Sequence, residues 1–247
     1  MRAIILKKTP LAENSEIVAM YSREFGKIRG VARAVKLPKS KLAFALQNLF
    51  CSEIEIAPSK SMPIITGAKP LAVFRRLRED LEKVKPALYA AELILKSTAD
   101  EQPNAALFDL LESFYSHLDK SASGAAHACV YFFSFSALAL AGYAIDARKC
   151  ASCSREIFNA DKISFSSHKG GFLCTECAMK FSSARAVTPE LYKLFADNYG
   201  QDFSAQDQAF SARAAQKNRV QLRAIAKDFA EYILERDLKT SSFFDTI

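Results

Sequence analysis

Glycine and proline are scarce, eight of each in 247 residues, too few for long flexible linkers, so disordered and fibrous chains are excluded. Histidine occurs three times, at His117, His127 and His168, and two of these fall in helical stretches where a core or surface role is the default. The sequence holds no Gly-x-Ser-x-Gly, no glycine-rich phosphate loop and no His-Glu-x-x-His. Glu53 and Glu55 share one face of a strand, but with no histidine beside them they read as a solvated face rather than a catalytic pair. An enzyme is not expected. Export is not expected either, because the apolar run within Met1–Lys8 is far too short for a signal peptide. Six cysteines in such a chain point to a reducing compartment, a cytoplasm, where clustered thiols serve metal binding or catalysis rather than disulfides.

What is present is the balance of a folding chain: 50% hydrophobic and 25% charged residues in 27.3 kDa, enough for one or two domains. The net charge of +7 is unevenly spread. Residues 1–78 carry fifteen Lys or Arg against five Asp or Glu, a net of +10, and the remainder carries nineteen against twenty-two. Such asymmetry suggests a polyanion partner for the first part, nucleic acid above all, with a merely solubilising surface as the plain alternative.

The first seventy residues read as strands. Arg2–Lys8 is a β-branched run closed by Pro10, and Glu16–Ser22 and Lys27–Val35 flank a turn at 23–26. Ala45–Ala57 alternates in its second half, and Met62–Lys69 is bounded by Pro63 and Pro70. Five short strands with hairpin spacing suggest a small barrel, and an OB-fold has that strand count.

At Val73 the period becomes helical. Phe74, Leu77, Leu81 and Val84 form one stripe, and Pro86 is expected to open a second helix carrying Leu88, Ala91 and Leu95. Asn104 is a plausible cap for a third, with Leu107, Leu110, Leu111, Phe114 and Leu118. The run Ala125–Tyr143 approaches the length of a membrane span. However, His127, Ser134 and Ser136 interrupt it, and a helix buried in a helical domain is the expected reading. Residues 188–239 return to helix, ending on the stripe Leu222, Ile225, Phe229, Ile233.

The cysteines carry the most specific signal. Cys150-Ala-Ser-Cys153 and Cys174-Thr-Glu-Cys177 are two Cys-x-x-Cys pairs twenty residues apart. Each spacing lets one tight turn aim two sulfurs at a point, and two such turns make the tetrahedral set that Zn²⁺ takes. Ile163–Ser166 and Gly171–Leu173 flank a turn at 168–171, a small hairpin returning the second pair to the first, as in a zinc ribbon. Two disulfides or unrelated buried thiols are the alternatives, and His168 could replace one cysteine. Four thiolates close the coordination sphere, so a single zinc per chain would be structural and lower the net charge from +7 to +5. Cys51 and Cys129 read as small buried hydrophobes.

The basic residues of the first part are also ordered. In Lys27–Val35 the odd positions Lys27, Arg29 and Arg33 share one face, while Ile28, Gly30, Ala32 and Ala34 form a small apolar face for a barrel interior. The loop 36–41 adds Lys36, Lys39 and Lys41. Together they form a cationic surface of the kind that holds phosphates, with Tyr21, Phe25 and Phe44 near enough to stack bases, although core packing is the default for each.

The order of these pieces resembles the family of the bacterial recombination mediator RecO. The stretches that carry the likeness are Gly26-Lys-Ile-Arg-Gly-Val-Ala-Arg33, Pro38-Lys-Ser-Lys-Leu-Ala43 with Ala45-Leu-Gln47, and Phe74-Arg-Arg-Leu-Arg-Glu-Asp-Leu81. Ala141-Gly-Tyr143 before the first cysteine pair and Gly170-Gly-Phe-Leu-Cys174 complete the series, and the tail from Val187 matches only as helices. The resemblance implies an α+β chain, with an OB-fold barrel at residues 1–72 and a helical domain at 73–247 carrying a zinc module at 148–180. It also implies binding of single- and double-stranded DNA and annealing of complementary strands. Its implied partners are RecR, with which it helps load RecA onto gapped DNA, and the single-stranded-DNA-binding protein with its acidic tail, in a nucleoid-associated cytoplasmic setting without membrane or small-molecule substrate. Lys27, Arg29, Arg33, Lys36, Lys39 and Lys41 inherit the DNA-binding role, with Arg75 and Arg76 at the domain junction as weaker candidates. The family often has glycine where this chain has Ala34, which implies a less bent loop, and some members lack the cysteines. A zinc-ribbon protein of transcription or RNA metabolism is the alternative, and an enzyme with a structural zinc is a third reading.

Overall fold

The computed structural model describes residues 1–37, 39–122, 129–158, 162–199, 203 and 216–244. Pro38 of the basic loop, His127 with the start of the apolar run, and most of the expected helix between 200 and 215 lie outside them. The chain divides into two compact units, Met1–Ser121 and Ala122–Ile247.

Five strands open the first unit: β1 (Arg2–Ala12), β2 (Ser15–Ser22), β3 (Gly26–Ala32), β4 (Cys51–Ala57) and β5 (Ile64–Ala72). They close into a barrel of order β1-β2-β3-β5-β4. All neighbours are antiparallel except β3 and β5, joined by the single parallel pair Val31–Ile64. The alternation of β3 runs as expected, with Ile28 and Ala32 inside among Ile5, Val18, Met20, Phe50, Ile54 and Ile65. Ala3-Ile4-Ile5-Leu6 is buried on both faces. Ala3 and Ile5 belong to the barrel core, and β1 also meets the second helix of the unit.

Two prolines expected at strand ends lie within strands. Pro10 pairs with Glu16 of β2, and β1 pairs with β4 only over Arg2–Ile4, so beyond that point its other edge asks no N–H of a proline. Pro70 sits opposite Ser52 beside a register shift, where the ladder is already interrupted.

Three helices complete the unit: α1 (Arg75–Arg78), α2 (Leu81–Ser97) and α3 (Ala105–Lys120). Pro86 does not open α2. Asp80 does, its side chain accepting from the Glu82 N–H at 3.0 Å, and Pro86 lies buried inside the helix. Asn104 caps α3 as expected, accepting from Leu107 N–H at 3.0 Å. Phe74 has no capping side chain, and Asp119 of α3 supplies the missing acceptor to α1 at Leu77 N–H, 2.9 Å. The period changes at Val73, but the compact unit continues to Ser121 because the barrel and these helices share ion pairs and buried surface.

The second unit holds α4 (Cys129–Leu140), the hairpin β6 (Ile163–Ser166) and β7 (Gly171–Cys174), α5 (Thr175–Ala178), β8 (Arg185–Val187), α6 (Pro189–Asn198) and α7 (Gln216–Leu234). Among the described residues no helix is long and apolar enough to cross a membrane. The apolar α4 is instead buried, its Phe132 and Phe135 meeting Phe195 of α6 and its Phe135 meeting Phe229 of α7. The hairpin joins this aromatic core through Phe165 on Phe229 and Phe172 on Phe195.

Candidate nucleic-acid interface and metal centre

The basic strand divides into two parts with different roles. Lys27 does not share the exposed face. It lies outside the barrel, as alternation requires, but the segment between α2 and α3 covers it and leaves it 6% exposed. Its Nζ donates to Leu95 O in the last turn of α2 at 2.9 Å and to the carbonyl of Thr98, the residue that caps α2, and pairs with Asp100 at 3.2 Å. An ammonium at a helix C-terminus satisfies orphan carbonyls and opposes the negative end of the macrodipole. Gly26 completes this joint, because a Cβ there would stand 2.1 Å from Gln102 O. Arg29 is about half exposed but pairs with the same Asp100 at 3.1 Å. The first half of the resembling stretch 26–33 is therefore a docking joint between barrel and helices.

Past β3 the cations are open. Arg33, Lys36, Lys39 and Lys41 are exposed and hold no ion pair among the described residues. The turn that presents them bends at Ala34, whose φ of 52° lies in the left-handed region. The loop is thus as bent as a glycine would make it, contrary to the expectation, and alanine bears the strain. Arg75 and Arg76 are exposed on α1, Arg75 in an ion pair with Glu79 at 2.8 Å.

Of the stacking candidates, Tyr21 is core. Phe25 and Phe44 are exposed. Phe44 stands beside the basic loop with its ring edge-to-face on Phe50 at 5.4 Å, and the Arg78 guanidinium lies 4.5 Å above Phe50. Spacing had not marked Arg78, which follows the Arg75-Arg76 pair by a helical step. Its partner ring is brought in by β4, out of reach of any local pattern.

The four cysteines do converge. Their Sγ atoms all lie within 4.8 Å of one another, and Cys153 Sγ is 3.9 Å from Cys174 Sγ. Sulfurs about 2.3 Å from one ion at tetrahedral corners stand roughly 3.8 Å apart, so the set fits a metal ion. The first turn is closed by Cys150 N–H on Arg155 O and Ser154 N–H on Cys150 O, both 2.8 Å. The second pair spans the end of β7 and α5, and β7 pairs with β6 so that Cys174 faces Ile163. The expected hairpin is present, with β8 added as a third strand in the order β7-β6-β8. Three residues of β8 are too few to show a period in the sequence.

The electrostatics of the set suit a cation. Burial opposes ionisation of Cys150, but the backbone N–H groups of Cys174, Ser152 and Cys153 outweigh it and hold the thiol down at about 6. Cys174 N lies 3.4 Å from Cys150 Sγ. Burial pushes Cys177 up to about 12, with the other thiols of the set adding to the rise. Like charges this close cannot all form alone, and a dication removes that obstacle. Arg155 bridges to Glu176 at 2.9 Å and sits in the field of Cys153 and Cys174. His168 is not part of the set and lies against the Tyr232 ring at 5.7 Å. Cys51 and Cys129 are buried as expected, and burial pushes the Cys51 thiol up to about 11.

Comparison with known proteins bears on the whole chain. A family model described as "Recombination protein O N terminal" matches residues 1–74, and one described as "Recombination protein O C terminal" matches residues 78–242. The DNA repair protein RecO of Dehalococcoides mccartyi (strain 195) is 34% identical over 177 residues, covering 71% of this chain and 68% of its own length. That of Desulforamulus reducens is 31% identical over 251 residues, covering 99% and 93%. That of Myxococcus xanthus is 30% identical over 186 residues, 75% of each chain.

Proposed function

The chain belongs to the recombination protein O family of bacterial DNA-repair proteins, and from that membership we propose that it anneals complementary DNA strands without breaking or making covalent bonds. It binds single- and double-stranded DNA on Arg33, Lys36, Lys39 and Lys41, with Arg76, Arg75 and the half-engaged Arg29 beside them. The observation that carries this reading is the cluster of exposed, unpaired cations on the bent loop that leaves a closed barrel. Two strands repel each other through their phosphates, and a cationic surface that displaces condensed counterions lowers that repulsion for both. Nothing in this step needs a nucleophile or a nucleotide.

The reading extends to partners and setting. With RecR, the protein helps load RecA onto gapped DNA coated with single-stranded-DNA-binding protein, whose acidic tail it engages, in the cytoplasm at the nucleoid. Cys150, Cys153, Cys174 and Cys177 hold one Zn²⁺, which supplies folding energy to the ribbon and no chemistry.

A strand-annealing assay with complementary oligonucleotides and no nucleotide cofactor tests the central claim. Acceleration over the spontaneous rate supports it. Equal or better activity on RNA alone would favour a ribbon protein of RNA metabolism, and no acceleration on either would refute it.

A further inference from the structure

The tertiary structure brings together two cationic segments that are far apart in sequence. Within the first unit a groove of about 690 Å³ separates the loop after β3 from α1 and α2, a volume within the usual range for ligand sites. Lys36, Gln47 and Asn48 line it from the loop, and Arg78 of α1 with Val84 and Leu88 of α2 line it from the helices. Arg78 is held in place by its hydrogen bond to Gln47 and its position over Phe50. Of the charged lining residues, Lys8 is neutralised by Glu16 at 3.2 Å, which leaves Lys36 and Arg78 as the net charge of the groove.

We propose that this groove receives one unstacked base of a single-stranded DNA, while the flanking phosphates meet Lys36 and Arg78. The proposal rests on the DNA-binding reading and adds a strand-selective subsite to it. Charge complementarity chooses the occupant: a backbone passing from the loop cations to the α1 cations must cross the groove. A base has two flat apolar faces for the aliphatic walls, and the Asn48 carboxamide offers a donor and an acceptor to its polar edge. A duplex cannot insert a base without unpairing it, so the groove favours single strands.

The full-length chain is titrated with a short single strand carrying a central 2-aminopurine, whose emission rises when it leaves the stack. The expected result is a clear rise on binding, and about tenfold weaker binding when that position is made abasic. Val84→Phe, which fills the groove wall, should abolish both effects yet leave duplex affinity and the salt slope unchanged. The abasic comparison uses the unaltered protein and so stands even if the variant folds poorly. Flat emission and equal affinity for the abasic strand, with a normal salt slope, would overturn the base subsite and leave phosphate binding intact. Failure to bind any single strand would overturn both. Flat emission together with Val84→Phe-sensitive binding of polyglutamate would assign the groove to an acidic peptide instead.

Discussion

Lys27 shows how one residue can satisfy a pattern and still take a different role. Its side chain leaves the barrel as strand alternation demands, then meets Leu95, Thr98 and Asp100 rather than solvent. Lys27→Met takes this donor from two carbonyls and leaves Asp100 paired with Arg29 alone, and denaturant titration should read a loss of about 2–3 kcal/mol. The folded variant should bind DNA with an unaltered salt slope, because no phosphate reaches that ammonium. Ala34 offers the opposite sign. With φ at 52° it bears roughly 1–2 kcal/mol of left-handed strain, partly offset by the freedom glycine adds to the unfolded chain. Ala34→Gly should raise stability by about 0.5–1 kcal/mol in the same titration.

At the scale of elements, the cysteine ribbon is continuous with the helices that follow it. Phe165 and Phe172 leave the hairpin to join Phe195 and Phe229, so holding the hairpin also holds part of the helical core. Elemental analysis of the parent should find about one equivalent of zinc, and Cys174→Ser should eliminate it. Hydrogen exchange should then rise over residues 150–180 and also in α6 and α7, while the barrel, which has a core of its own, keeps its protection. Unchanged protection in α6 and α7 would mean that the aromatic contacts hold without the metal.

Across the whole molecule the net charge of the first 78 residues overstates the surface available to phosphates. Arg2 pairs with Glu112, Arg23 with Asp109, Lys27 and Arg29 with Asp100, and Arg75 with Glu79. Most of these carboxylates belong to the segment 100–112 that docks the helices on the barrel. Of the cations that stay exposed without an ion pair among the described residues, Arg33, Lys36, Lys39 and Lys41 form one cluster after β3, while Lys7, Lys60, Lys69 and Arg76 lie on other segments. Replacing Lys36, Lys39 and Lys41 together with Ala should therefore flatten the log–log salt dependence on single strands by about 2, at roughly 0.7 per phosphate. Changing Arg29 alone should flatten it by less than one phosphate's share, since Asp100 already engages it. Equal slopes for the triple variant and the parent, measured by fluorescence anisotropy across a salt series, would place the DNA surface elsewhere.

The sequence by itself determined the strand count of the barrel, the switch to helical period at Val73, the Asn104 cap and the convergence of four thiols. Each depends on neighbours within a turn or a hairpin. Local spacing misjudged Pro10 and Pro86, because whether a proline ends an element depends on which edge is unpaired and where the cap lies. It also merged Lys27 with Arg33, because alternation assigns a side chain to one side of a sheet and says nothing about what covers that side. Only the tertiary structure decided which cations stay open, that Arg78 rests on Phe50, and that the loop after β3 and α1 face each other across one groove. Those outcomes turn on charges and rings tens of residues apart, which meet only after the barrel has closed and the helices have docked.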